Sequence, residues 1–268
     1  NDVINLKNQI LRFPVNTWLI YEEDAYQFSV LFFALIAANK DVVLPQNGCP
    51  IQLQKAMASA EAYAGSAQLD VNYTIKYSAE GKSISKEELT LNGESLVRLF
   101  TSGSTGEPKI ITKQFSHLIT EVEELSKTFL QEEEGCCFIS TVSHQHIYGL
   151  LVKLLLPIWT GQNVILQQFE YPEHVAHAIG KYNLNSVCLV SSPAHFSRLV
   201  KDNVYSKLAS TFKLAISSGG PLLVETAEQL IEQMGFSPIE ILGSTETGGI
   251  GWRQRDKKRL DVPWEAFN

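Results

Sequence analysis

The sequence predicts an α/β protein with mostly parallel sheets covered by helices. Short, continuously apolar segments of strand length recur along the second half of the chain, and segments with helical spacing of apolar residues separate most of them. Uninterrupted apolar strands of this kind are typical of sheets that are buried on both faces. The chain has 268 residues, of which 44% are hydrophobic and 19% charged, which is enough for a sizeable core.

The first part of the chain alternates between helix and strand signals. Apolar residues recur at helical spacing over residues 26–38, residues 42–44 have the composition of a short strand, and a second helix is predicted over about residues 51–63. Residues 70–92 are polar and are typical of a surface excursion or a lobe boundary. We therefore predict an abbreviated amino-terminal lobe that ends at residue 95.

The main α/β lobe is predicted over residues 96–268. In open, mostly parallel sheets, ligands bind beyond the carboxyl ends of the strands. The loops that follow the strands are therefore the expected place for a binding site. The predicted strands are residues 97–100, 110–112, 138–142, 164–166, 187–190, 214–216 and 239–242.

Charge and composition argue against several classes of partner. The formal net charge is -7 and gives no basic stripe for a phosphate backbone, so we expect no nucleic-acid partner. The most apolar stretch, residues 28–38, is too short to span a membrane, and no charged-then-apolar leader opens the chain. These features predict a cytoplasmic protein. We expect its cysteines to be reduced and buried, because no Cys-x-x-Cys spacing occurs among Cys49, Cys136, Cys137 and Cys188.

A loop rich in glycine and hydroxyl residues follows the strand predicted at residues 97–100. Its glycines allow successive N–H groups to turn toward one point, and its hydroxyls and lysine suit a polyphosphate. A flexible linker is the alternative, but the position after a buried strand favours a binding loop. Pro108 departs from the Walker pattern, which argues against a kinase or GTPase fold. The candidate phosphate-binding residues are Thr101, Ser102, Gly103, Ser104, Thr105, Gly106 and Lys109.

A second glycine-rich loop follows the strand predicted at residues 239–242. The hydroxyl of Thr245 and the carboxylate of Glu246, preceded by Gly243 and Ser244, offer oxygen atoms to a phosphate and to Mg2+. Taken alone, this segment would be interpreted as a turn with a solvated glutamate. Its significance depends on the other loops.

The third loop follows the strand predicted at residues 138–142 and contains His144 and His146. A His-x-His spacing is compatible with a metal site, but no third ligand lies at a recognisable spacing, which argues against zinc. A packed, hydrogen-bonded histidine is the alternative to a functional one.

These loops together resemble the AMP-forming acyl-CoA synthetases, luciferases and adenylation domains, over about residues 97–252. Residues 101–109 are similar to the phosphate-binding signature of that family. Residues 243–246 match its Gly-x-Thr-Glu segment in order and spacing, and residues 146–150 match its His-x-x-Gly-Leu region. The segment Ser-Ser-Gly-Gly-Pro-Leu at 217–222 is similar to the part that lies along the adenine.

The resemblance implies a role for each matching residue. Thr245 would contact the nucleotide phosphate, and Glu246 would assist the metal. His146 would lie beside the acyl pocket. Gly219 and Gly220 would lie against the adenine, because a missing side chain lets a flat base approach the backbone. Gly243 and Ser244 would complete the nucleotide-binding set, and Tyr148 and residues 192–196 are expected to line the acyl pocket.

The activity implied is ATP-dependent conversion of an aryl or fatty acid to an acyl-adenylate. The acyl group would then pass to a thiol, either of coenzyme A or of carrier-protein phosphopantetheine. The fold implied is the large N-terminal domain of an adenylate-forming enzyme, with the small C-terminal domain missing. We expect both chain ends to be cut, and the isolated fragment to be weakly active, because losing one charge stabiliser commonly lowers a rate on the order of 10²-fold.

Three other classes remain as alternatives. A non-catalytic nucleotide- or acyl-binding module would carry the same loops without the reaction. A phosphate-loop NTPase would hydrolyse ATP without any acid. A hydrolase is disfavoured because no Gly-x-Ser-x-Gly elbow occurs in the chain.

Overall fold

The structure, a computed structural model, describes residues 1–78, 88–101, 109–130 and 135–267. The chain divides into two compact units, Asn1–Thr120 and Glu121–Asn268, and each contains its own sheet. The predicted α/β class with mostly parallel sheets is confirmed. The candidate phosphate-binding residues Ser102, Gly103, Ser104, Thr105 and Gly106 lie outside the described ranges, so their assignment stays a prediction.

Within its described residues, the first unit contains a six-stranded sheet of order β4-β3-β1-β2-β5-β6, in which only the β5–β6 pair is antiparallel. Its elements are α1 (Asp2–Ile10), β1 (Thr17–Tyr21), α2 (Ala25–Ala37), β2 (Asp41–Leu44), α3 (Pro50–Met57), β3 (Ala62–Gly65), β4 (Thr74–Ile75), β5 (Leu96–Thr101) and β6 (Lys109–Gln114).

Helix α2 forms where the sequence predicts it. Its first turn is capped by Asp24, whose Oδ1 accepts a hydrogen bond of 2.9 Å from the Gln27 backbone N–H. The helix is apolar on nearly all sides, which is typical of a helix enclosed by the core. Most of its residues are accordingly buried.

The predicted helix over residues 51–63 is wrong in its second half. Helix α3 ends at Met57, and Ala62–Gly65 form strand β3, which pairs with β1. The hydroxyl of Tyr63 donates to the carbonyl oxygen of Tyr21 at 2.9 Å, which ties β3 to the end of β1. A short apolar segment cannot be assigned to helix or strand from its spacing alone, and here sheet pairing decides.

The boundary between the units lies later than the sequence analysis expects. Strand β5 pairs with β2, and β6 pairs with β5, so both strands after residue 95 belong to the first sheet. Helix α4 (Phe115–Phe129) then crosses the division at Thr120. The polar residues before residue 95 therefore do not mark the division between the units.

The second unit contains the longer run of alternating strands and helices. One continuous helix over residues 147–159 consists of α5 (Ile147–Gly149), a π-helical part (Leu150–Leu155), called here the π segment, and α6 (Leu156–Trp159). A 3-10 helix spans Ser206–Thr211. The other elements are β7 (Cys137–Ser140), β8 (Asn163–Gln168), α7 (Pro172–Lys181), β9 (Val187–Ser191), α8 (Pro193–Asp202), β10 (Phe212–Ser217), α9 (Val224–Met234), β11 (Ile239–Ser244), β12 (Gly248–Gln254) and β13 (Glu265–Ala266).

The described residues of this unit form a sheet of order β13-β12-β11-β10-β9-β7-β8. Strands β7 to β11 are parallel, and β12 and β13 are antiparallel additions that the sequence analysis did not predict. Helices α7, α8 and α9 pack on one face around Leu189 and Ala215. The chain moves from β7 to β8 and back to β9, so right-handed crossovers place the helix of residues 147–159 on the opposite face.

Two expectations about single residues need correction. Cys49 is exposed at the start of α3, whereas Cys136, Cys137 and Cys188 are buried and all four are free thiols. Phe196 was expected to line the acyl pocket, but its side chain is fully buried in the core under α8.

None of the helices in the described ranges has the length and apolarity that a membrane span requires.

Candidate functional site

The predicted site residues of the second unit lie at one edge of its sheet. Strands β7, β9, β10 and β11 are parallel neighbours, so their carboxyl ends lie side by side. Ser217 at the end of β10 pairs with Ser191 on one side and with Glu240 on the other. The loops that contain His146, Gly219 and Glu246 leave from this edge, where α/β sheets bind ligands.

Thr245 and Glu246 form the turn between β11 and β12. The Ser244 backbone N–H donates to Thr247 Oγ1 at 3.1 Å, and the Thr247 N–H donates to Ser244 Oγ at 3.2 Å. These reciprocal bonds close the turn from within and leave Glu246 exposed at its apex. Thr247, which the sequence analysis did not single out, therefore supports the shape of the predicted phosphate and metal turn.

The glycines of this turn are required by close packing. A Cβ atom at Gly243 would lie 2.3 Å from the carbonyl oxygen of Gly248. Gly248 has a φ of +72°, and a Cβ there would lie 2.6 Å from the carboxylate of Glu121 on α4. Glu121 also accepts a 3.4 Å hydrogen bond from the Gly249 N–H. Sequence reasoning missed Glu121, because it lies far from the turn along the chain.

The loop after β10 differs from this turn because open space surrounds its glycines. Gly219 and Gly220 are exposed, and no atom of the described residues lies within 4 Å of a Cβ placed at either. The ends of the loop are held, because Ser218 Oγ donates to the Ile241 carbonyl at 3.0 Å and Arg255 Nη1 donates to the Leu222 carbonyl at 3.2 Å. Two adjacent glycines with open space beside them, between two fixed ends, allow a planar ring to approach the backbone.

Arg255 belongs to a buried charge cluster made of Glu240, Arg253 and Arg255. Arg253 binds Glu240 with two bonds of 3.1 Å, and Arg255 Nη1 lies 2.8 Å from Glu240 Oε1. Glu240 and Arg255 are 3% and 5% exposed. Burial lowers the pKa of Arg255, and the Glu240 carboxylate opposes that effect. The cluster joins β11, β12 and the end of the glycine loop at Leu222.

The loop after β7 brings His146 to the same edge. His144 and Gln145 are buried. The His146 side chain reaches the surface, but protein atoms surround enough of its imidazole for desolvation to lower its pKa. A Cβ at Gly149 would lie 1.9 Å from the Ser143 carbonyl oxygen, so the loop folds back on a position that only glycine fits. This explains the glycine of the His-x-x-Gly-Leu pattern.

Tyr148 attaches the following helix to the sheet. Its hydroxyl lies 3.0 Å from the carbonyl oxygen of Ser191 and 2.9 Å from that of Ile216, so the two carbonyls share its single proton as acceptors. Burial raises the pKa of Tyr148 well above its ordinary value, so the phenol stays protonated and can donate. The start of the helix is thereby fixed against the ends of β9 and β10.

Thr101 and Lys109 lie in the first unit, at the two ends of the predicted phosphate loop. They pair with each other across β5 and β6, and Thr101 Oγ1 donates to the Lys109 carbonyl at 3.5 Å. Lys109 is exposed and Thr101 is half-buried. The β5–β6 pairing therefore brings Thr101 and Lys109 together, whereas His146, the glycines at 219–220 and residues 243–246 belong to the second unit.

Sequence comparison finds relatives of this chain among CoA ligases. The chain is 32% identical over 160 residues to a probable CoA ligase of Humulus lupulus, a match that covers 57% of this chain and 28% of that protein. It is 30% identical over 156 residues to a 4-coumarate–CoA ligase of Cereibacter sphaeroides, covering 58% of this chain and 36% of that one.

The fold is similar to that of solved structures. ATP-bound MatB from Rhodopseudomonas palustris superposes with a TM-score of 0.79 at 19% identity, over 96% of this chain and 56% of that one. The match thus spans about a third or less of the length of each of these two relatives and about half of the MatB chain. The family described as AMP-binding enzyme matches residues 28–264. The chain therefore belongs to the family of AMP-binding enzymes.

Proposed function

We propose that this protein uses ATP to activate an aryl or fatty carboxylic acid as an acyl-adenylate and then transfers the acyl group to a thiol. The acceptor would be coenzyme A or carrier-protein phosphopantetheine. The observation that carries the proposal is the convergence of three loops, after β7, β10 and β11, at one edge of the second sheet. Family membership and the CoA-ligase relatives support it.

The glycine loop and the hairpin turn divide the nucleotide between them in this proposal. Gly219 and Gly220 offer the open backbone surface for the adenine. Thr245 would donate its hydroxyl to a phosphate oxygen, with Gly243 and Ser244 shaping the approach. Residues 101–109 are assigned to the other phosphates through the family resemblance, and ATP bound to a solved protein of the same fold supports a nucleotide ligand.

Glu246 is the proposed residue for Mg2+. Mg2+ is commonly held by one or two carboxylates together with substrate phosphates, and it keeps several waters. A single exposed carboxylate in a turn fits that mode, and the described residues contain no group of three His, Cys, Asp or Glu side chains that could hold a metal by themselves. When bound, Mg2+ would neutralise charge on the phosphates.

The proposed reaction has two steps. A carboxylate oxygen of the acid attacks the α-phosphorus of ATP, and the bond to pyrophosphate breaks. The thiol sulfur then attacks the acyl carbon, and AMP leaves. The protein contributes mainly position and charge neutralisation in such steps. The lowered pKa of His146 favours a neutral imidazole beside the acid, which adds no charge of its own near neutral pH.

The location and partners complete the proposal. We place the protein in the cytoplasm, with a small carboxylic acid, ATP and a thiol acceptor as its partners. A net charge of -7 supports the absence of a nucleic-acid partner.

The decisive experiment is mass-spectrometric detection of acyl-AMP. The full-length natural protein is mixed with MgATP and a panel of aryl and fatty acids, and an acid-dependent adenylate is expected. The variant Glu246→Gln should lower the rate of adenylate formation on the order of 10²-fold. Glu228→Gln, at an exposed position of α9, is the matched control and should behave as the natural protein does.

Two outcomes would contradict the proposal. Nucleotide binding without any adenylate would favour the non-catalytic nucleotide- or acyl-binding module. Equal rates for the natural protein and Glu246→Gln would remove Glu246 from the site while leaving the reaction in place.

A further inference from the structure

Lys153 is a buried cation that the proposed reaction does not use. It is the charged residue of the otherwise apolar π segment, and its side chain is 0% exposed. Its Nζ has no hydrogen-bond partner among the residues that the structure describes. An ammonium group has three N–H donors, so this position departs from the rule that buried charges are paired.

The surroundings of Lys153 make its charge costly. Desolvation alone lowers its pKa to about 8, which leaves most of the ammonium protonated at neutral pH. A methionine or leucine would fill similar space without this cost. A lysine whose purpose was only to pack would therefore be a poor choice here.

The position of Lys153 connects it with the acyl side of the site. The helix of residues 147–159 begins directly after His146, and its first turn is fixed by Tyr148 to the ends of β9 and β10. The π segment continues from that turn and packs against β7 and β8. Lys153 lies five residues after Tyr148 in the same continuous helix. π-helical turns occur frequently at functional sites.

We propose that Lys153 receives the far end of the acyl substrate, and that the substrate is a carboxylic acid with a hydrogen-bond-accepting oxygen at its distal end. This inference rests on the proposed function and narrows its substrate class. A distal carboxylate or a distal hydroxyl would supply the acceptor that the buried ammonium lacks within the described chain. The carboxylate would in addition compensate its charge, so it is the stronger partner of the two.

The test uses two matched series of acids with the full-length natural protein. One series is hexanoate, its omega-hydroxy derivative and adipate; the other is benzoate, para-hydroxybenzoate and terephthalate. Within a series the acids differ only at the far end. In the series that fits the pocket, we expect kcat/KM for adenylate formation to be about tenfold or more higher for an acid with a distal oxygen than for the plain acid. The arms also separate a carboxylate from a hydroxyl as the natural acceptor.

The variant Lys153→Met assigns the preference to this side chain. In Lys153→Met, the ratio of kcat/KM between an acid with a distal oxygen and the plain acid should fall to within about threefold. Lys201→Met, at an exposed lysine of the same unit, should retain the full preference. Binding of the same acids without ATP is measured in parallel by the shift of the thermal midpoint. We expect the acids with a distal oxygen to raise the thermal midpoint of the natural protein more than that of Lys153→Met.

The outcomes separate this inference from the proposed function. A natural protein that forms adenylates equally well from all members of both series would overturn the inference alone, as would a Lys153→Met variant that keeps the preference. Thermal shifts that depend on Lys153 without any adenylate would sink the proposed reaction and keep the acid-binding role of Lys153. Neither adenylate nor a Lys153-dependent shift would overturn both.

Discussion

Arg255 and Lys153 are both buried cations of the second unit, yet their surroundings are opposite. Arg255 contacts the carboxylate of Glu240 at 2.8 Å and the carbonyl of Leu222 at 3.2 Å. Lys153 has no hydrogen-bond partner among the described residues. Burial lowers the pKa of both groups, but only for Arg255 does a neighbouring carboxylate oppose the effect. Where a buried charge supports the fold, this chain provides the counter-ion.

The comparison extends to the two regions that contain these residues. In the region of β10, β11 and β12, the charges of Glu240, Arg253 and Arg255 are paired and the turn is closed by Ser244 and Thr247. The helix after β7 is hydrogen-bonded to the sheet at its start by Tyr148, and further along it carries Lys153, whose Nζ has no hydrogen-bond partner among the described residues. The two regions thus differ in how their buried charges are compensated.

Replacing Glu240 should have the largest effect on stability. In Glu240→Ala, Arg253 and Arg255 keep their buried positions without a counter-ion, and such a change commonly costs about 3–5 kcal/mol of unfolding free energy. Urea unfolding would measure the loss. The control Glu228→Ala removes an exposed glutamate from α9 and should change stability by less than about 0.5 kcal/mol. Similar losses in both variants would show that the paired region owes nothing special to its charges.

Replacing Lys153 should have the opposite sign. Its pKa falls from an ordinary value of 10.5 to about 8 in the folded chain, so the unfolded chain binds more protons between those values. The penalty is therefore complete below pH 8, where it amounts to roughly 3 kcal/mol, and it disappears as the pH rises toward 10.5. Lys153→Met should be more stable than the natural protein at pH 7, by up to about that amount.

The pH dependence distinguishes this explanation from better packing by methionine. The stability difference between Lys153→Met and the natural protein should shrink between pH 8 and pH 10.5. A difference caused by packing alone would stay constant over that range. Lys201→Met, which changes an exposed lysine, should show no such trend.

Much of the second unit could be predicted because its signals are local. Strands such as β9 are continuous apolar segments, and the loops after them contain their distinctive residues within a few positions. The grouping of His146, Gly219 and Glu246 at one edge then follows from parallel pairing alone. Strand β3 was missed because its four residues carry no pattern that separates them from the end of a helix.

The two buried cations could not be predicted, for a physical reason. The pairing of Glu240 with Arg253 depends on the register of the β11–β12 hairpin, in which these residues lie directly opposite each other. A tight turn at residues 245–247 places Ser244 opposite Gly248 and would by itself set Glu240 opposite Trp252. The irregularity between Leu242 and Gly243 shifts the register by one residue and brings Arg253 there instead. The isolation of Lys153 depends on packing around the whole helix, which no local pattern reports. A lysine within an apolar segment was the only hint.

Replacing Tyr148 should have the smallest of these effects. In Tyr148→Phe the ring still packs, but the carbonyl oxygens of Ser191 and Ile216 lose their donor, which should lower the unfolding free energy by about 1 kcal/mol. Urea unfolding beside Glu240→Ala would compare the two regions directly. If Tyr148→Phe lost as much stability as Glu240→Ala, the helix after β7 would be fixed as firmly as the charge cluster. Lys153 would then carry its charge in a firmly held part of the fold, and the contrast between the two regions would no longer hold.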